Sequence, residues 1–146
     1  MLLTGMGIVV LVVVLMLGFR GWQSQTPPEL GPVDGHLRAC PDKPNCVCSE
    51  KAVDSAHAVA VLATSDWQAA GRAVRDAGGF ITQDNGSYLH ATFTSRLFRF
   101  VDDVELRLDP DRGVIHIRSA SRVGHSDFGV NRKRVQAIRE RLGESS

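Results

Sequence analysis

The alternation of side chains across residues 100–121 constrains this fold more than any other stretch. Phe100, Val104, Leu106 and Leu108 share one side of an extended chain, and Asp103, Glu105 and Arg107 share the other. In the next run, Ile115, Ile117, Ser119 and Ser121 oppose His116, Arg118 and Ala120. Pro110-Asp111-Arg112-Gly113 between them is turn chemistry, so the two runs predict an antiparallel hairpin. Pairing Leu108 with Ile115 brings Arg107 to His116, Glu105 to Arg118 and Asp102 to Ser121. Asp102 then lies on the apolar side, where a carboxylate stays charged only among donors.

The flanking sequence supplies the other layer. Residues 58–62 are apolar and short enough for a strand. Ser65-Asp66-Trp67-Gln68 has the order of a capping box, with Ser65 as cap, and Trp67, Ala70, Val74 and Ala77 recur at helical spacing until Gly78-Gly79 ends the helix. Residues 80–82 and 88–93 read as strands joined at Asp84-Asn85-Gly86, with His90 at a surface position. After the hairpin, Ser126 or Asp127 caps a last helix whose buried stripe is Val135, Ile138 and Leu142; Asn131 lies on that stripe and points inward. The sum is an α+β domain over 58–143, ordered β-α-β-β-β-β-α. Two helices cover one face of an antiparallel sheet, as in the TATA-binding-protein-like half fold.

The chain of 146 residues allows one such domain, and its net charge of +1 argues against a nucleic-acid binder. From Arg118 onward, however, seven Arg or Lys face three Asp or Glu. Residues 2–19 carry no charge and are long enough to cross a bilayer. No basic residue precedes the run and Gly18-Phe19-Arg20-Gly21-Trp22 is a poor cleavage context, so 1–22 read as a retained single-pass anchor more than as a signal. Arg20 alone would leave the domain in the cytoplasm by the positive-inside rule. The cysteines point the other way.

Residues 23–38 are a linker in which five Pro and Gly exclude helix and strand, followed by a cysteine-containing loop over 39–57. Cys40, Cys46 and Cys48 lack the paired knuckles of a structural zinc site, so neither metal nor cofactor is expected. A disulfide from Cys40 to Cys46 closes a small proline-braced loop and belongs outside the cytosol; Cys48 is then an odd thiol that competes for Cys40.

Cys40-Pro41, Pro44-Asn45-Cys46-Val47, the run 100–105, and 118–124 with 126–132 together resemble the bacterial and plastid family of domain of unknown function 1499, over roughly 38–142. The resemblance implies no activity. It implies an exported or membrane-anchored protein of the cell envelope, with Cys40 and Cys46 matching the family pair and Cys48 standing where serine is expected.

Three functions follow as expectations. The first is a non-catalytic, membrane-tethered domain, periplasmic or otherwise extracytoplasmic. It binds a small anionic or amphiphilic ligand, or a membrane-protein partner, through Asp102, Arg118, Arg122, Asn131 and Arg132 at the loop and helix start. The second is a hydrolase-like enzyme with Asp102 or Asp103 as general base; no nucleophile, metal knuckle or phosphate loop accompanies them. The third is a structural subunit of a membrane complex.

Overall fold

The computed structural model describes residues 2–50 and 54–144. Helix α1 (Leu2–Gln23) leads into strand β1 (Cys46–Cys48), helix α2 (Trp67–Asp76), strands β2 (Phe80–Asp84), β3 (Tyr88–Thr94), β4 (Val101–Asp109) and β5 (Val114–Ser121), and helix α3 (Val130–Arg141). The five strands form one antiparallel sheet in the order β1-β5-β4-β3-β2. Leu108 pairs with Ile115, Glu105 with Arg118 and Asp102 with Ser121, the register the alternation predicts. Both α2 and α3 bury their apolar stripes on the face that carries Leu89, Val104, Leu106, Ile115 and Ile117.

The first strand is not where the apolar run predicts it. Residues 58–62 make only single bridges, Ala58 to Cys48 and Leu62 to Ile115, and the edge beside β5 belongs to Cys46–Cys48. That short segment wins the edge because both its faces are covered. Val47 enters the core under the helices, and Cys46 and Cys48 enter a second cluster with Leu37, Cys40, Tyr88 and Ala120. The cap of α2 also shifts by one residue. Asp66, not Ser65, accepts the N–H of Ala69, and Trp67 donates its indole N–H to Asp84 while its ring joins the core. Gly79 closes this side of the core, since a Cβ there would stand 2.8 Å from Val74 and 2.9 Å from Phe93.

Helix α1 is long and apolar enough to cross a membrane, with a mean hydropathy of 1.9 over Met6–Gln23, a property that signal sequences share. Its end is not loosely tethered. Gly21 lies so close to the β3–β4 loop that a Cβ would stand 1.7 Å from the Phe98 carbonyl oxygen. Ser24 is fully buried, accepts the N–H of Val101 on its hydroxyl, and is followed by Gln25, whose amide donates to the Arg99 carbonyl at 2.7 Å. The proline- and glycine-rich segment then lies over the second face of the sheet, burying Leu37 completely.

Cys40 and Cys46 form a disulfide and Cys48 is a buried free thiol, its pKa pushed up by burial. Denatured, unreduced protein should therefore titrate with one thiol per chain, rising to three after reduction. Labelling of all three without reductant would contradict the bridge.

Candidate functional site

Among the described residues, three buried carboxylates lie on the sheet face away from the helices, each met by several donors. Asp103 is 2% exposed, and Arg122 grips it through Nε at 2.8 Å and Nη2 at 2.7 Å while His90 Nε2 meets it at 2.8 Å. Glu105 accepts the Tyr88 hydroxyl at 2.8 Å, Arg118 Nη1 at 2.9 Å and the backbone N–H of Gly31 at 2.8 Å. Glu50 accepts Arg107 through Nη2 at 2.6 Å and Nε at 3.1 Å, and the N–H of Leu37 at 2.9 Å; His36 Nδ1 lies 2.9 Å away. Burial pushes the pKa of Glu50 up, but the bonds from Arg107, His36 and Leu37 outweigh it and hold the group down at about 2. Asp103 is lowered in the same way, its burial outweighed by His90 and Arg122, whereas burial and the Glu105 charge push the Tyr88 phenol up.

His90, expected at the surface, is thus buried. A bulge in β2 between Ile81 and Gln83 turns Thr82 toward it, with Oγ1 2.5 Å from His90 Nδ1. Hydroxyl, imidazole and carboxylate stand in line, as general-base catalysis requires. The charge of Asp103 is also matched by a two-pronged arginine, and the imidazole bridges β2, β3 and β4.

On the helix face, Asp102 pairs with Arg134 Nη2 at 2.7 Å. Arg134 also donates to Asn131 Oδ1 and Ser119 Oγ, and it lies 4.6 Å from the centroid of the Phe93 ring. Asn131, fully buried, donates to the Asn45 carbonyl, Ser121 Oγ and Asp127 Oδ2 and accepts from Ser119. Asp127 takes the backbone N–H groups of Asn131 and Gly129 as well. Its carboxylate fills the amino end of α3, the position a bound anion was expected to occupy.

The five predicted ligand-binding residues therefore separate. Asp102 and Asn131 meet through Arg134, which the sequence reading missed although it lies three residues after Asn131 on the same helix face. Arg118 and Arg122 belong to the opposite face of the sheet. Arg132 is remote from both, donating to the carbonyls of Ala56 and Ala58.

Arg122 and Arg118 do share a cavity, an open cleft of about 960 Å³ between the end of α1, the disulfide loop and the sheet edge. Arg122 is fully engaged there, because Nη1 also donates to the carbonyls of Ser24 and Gln25 at the end of α1. Arg20 and Lys43 line the same cleft, and neither side chain has an ion-pair partner among the described residues. Two buried polar atoms on its lining residues also lack a partner: Arg118 Nε, a donor, and Asn45 Oδ1, an acceptor on a side chain only 4% exposed. A mostly apolar pocket of about 400 Å³ adjoins it, sharing Arg20, Ser121, Val123 and Gly124 and extending to Leu17, Phe100 and Phe128, with Asp102 and Asp127 also on its lining. Among the described residues no group of three His, Cys, Asp or Glu is placed to hold a metal ion.

No curated protein and no solved structure matches the chain. A family model described as a protein of unknown function matches residues 36–142, which include the disulfide, the sheet and α2 and α3 but not the end of α1 that closes the cleft. Over that length the chain belongs to the DUF1499 family.

Proposed function

We propose that this protein is a membrane-anchored, non-catalytic domain that binds an anionic amphiphile in the cleft beside its own anchor. The observation that carries this reading is the shared wall between a cleft bearing uncommitted Arg20 and Lys43 and an apolar pocket lined by Leu17 of α1. A phosphate headgroup satisfies the cations, an acyl chain fills the apolar pocket, and a hydroxyl or ammonium on the headgroup donates to Asn45 Oδ1. The disulfide favours an extracytoplasmic domain, in the periplasm of a cell envelope. The docking of Gly21, Ser24 and Gln25 on the domain favours a retained anchor. The strand and helix order is compatible with the TATA-binding-protein-like half fold, an architecture that carries no ligand with it. Enzymatic use of Asp102 or Asp103 is disfavoured, since Arg134 and Arg122 already occupy both carboxylates.

The test is titration of the full chain, held in a non-ionic detergent, with a short-chain phosphatidylglycerol and with the phosphatidylcholine of the same chain length. We expect saturable binding of the first and little of the second. The R20Q/K43Q double variant should bind about tenfold or more weakly, since each cation near an anionic headgroup contributes about 1 kcal/mol. Equal affinity for both lipids, or an unchanged double variant, would overturn the reading.

A further inference from the structure

We infer that two loops of the domain, those carrying Leu97 and Phe128, insert into the surface of the bilayer that α1 crosses. The domain is then seated on the membrane and not suspended above it. This goes beyond the proposed ligand and rests only on the reading of α1 as a membrane helix.

Leu97 is 79% exposed and Phe128 89%, the two most exposed large apolar side chains among the described residues. Phe128 is presented from a left-handed backbone with φ 53°, a conformation unfavourable for a bulky residue, held by the Asp127 side chain that bonds Gly129. Both loops flank one short stretch of α1. The β3–β4 loop presses on Gly21, and Phe128 lines the same apolar pocket as Leu17. Leu17 and Gly21 are four residues apart, about 6 Å along the helix axis. Within that turn the apolar run ends and Arg20 begins the polar sequence, so the loops lie at the depth of the lipid headgroups. Arg96 and Arg99, in the same loop as Leu97, have no ion-pair partner among the described residues and complement anionic lipid. Apolar tips with cations beside them are the pattern of interfacial insertion.

The experiment places the full chain in nanodiscs containing phosphatidylglycerol and lipids brominated near the headgroup, and reads tryptophan quenching. Trp22 reports the anchor, and W22F leaves only the buried Trp67 as baseline. On the W22F background, F128W is the test and R112W, in the exposed turn between β4 and β5, the distant control. We expect F128W to be quenched about as strongly as wild-type Trp22 and R112W not at all. Quenching of Trp22 without quenching of F128W overturns the inference, leaves the anchor intact and gives these loops to a protein partner. If Trp22 itself is unquenched, α1 does not span the bilayer and the inference falls with that reading.

Discussion

Asp103→Ala should lower the unfolding free energy by about 3 to 5 kcal/mol, the usual cost of removing one partner from a buried ion pair. The carboxylate is the anionic partner of Arg122, whose side chain is 7% exposed, and accepts from His90, also buried. Its loss leaves a cation and an imidazole without a charge partner under the segment that follows α1. For a domain of this size the shift in melting temperature exceeds 10 °C. Asp102→Ala, though only one residue away, should cost about 1 to 2 kcal/mol. Arg134 keeps its bonds to Asn131 and Ser119 and its place over Phe93 when Asp102 is gone. Thermal melts followed by near-ultraviolet circular dichroism decide between them. A loss below about 1 kcal/mol for Asp103→Ala would mean that the charged layer is solvated.

Acid should unfold the protein through the same layer. The folded Glu50 carboxyl titrates near 2 against an ordinary 4.5, so the unfolded chain binds protons first as pH falls. Its stabilisation is complete above about pH 5 and disappears between there and pH 2; the difference amounts to roughly 3 kcal/mol. Asp103 acts in the same direction. Urea midpoints measured from pH 7 down to pH 3 should fall steeply. In Glu50→Gln the midpoint should start lower at pH 7, because Arg107 loses the nearer of its two carboxylates and keeps only Asp109 at 3.6 Å, and should fall less on acidification. An identical acid slope in wild type and variant would remove Glu50 from the account.

These two effects concern a layer that the sequence reading left without a cover: it set Asp103 opposite the apolar side, put His90 at the surface and did not single out Glu50. Alternation shows which side chains share a face of β4 and β5 but not what covers it. The hairpin register was legible because a short turn fixes the pairing and a one-residue slip would expose Val104 and Leu106. The covering of the second face was not legible, because proline and glycine exclude helix and strand without excluding close packing. A signal was present nonetheless. Tyr88, His90, Asp103, Glu105, Arg107, His116 and Arg118 share that face, and acids and bases alternate across it too regularly for a surface that only needs to meet water. Strand β1 was hidden because three residues are too few to show a period. Of the candidate site, the sequence exposed Arg118 and Arg122 by motif. It gave no hint that Arg20 and Lys43, both far upstream in the chain, line the same cleft.

The junction after α1 also separates two boundaries usually treated as one. Family likeness begins at residue 36, yet Ser24 completes the backbone of Val101, Ser24 and Gln25 complete Arg122, and Gly31 completes Glu105. The unit that folds is therefore longer at its amino end than the stretch the family model matches, and it includes the first residues to leave the helix. A fragment cut to residues 36–142 would carry the whole sheet with three of its buried polar groups left short of a partner. One begun at Ser24 would keep them all satisfied.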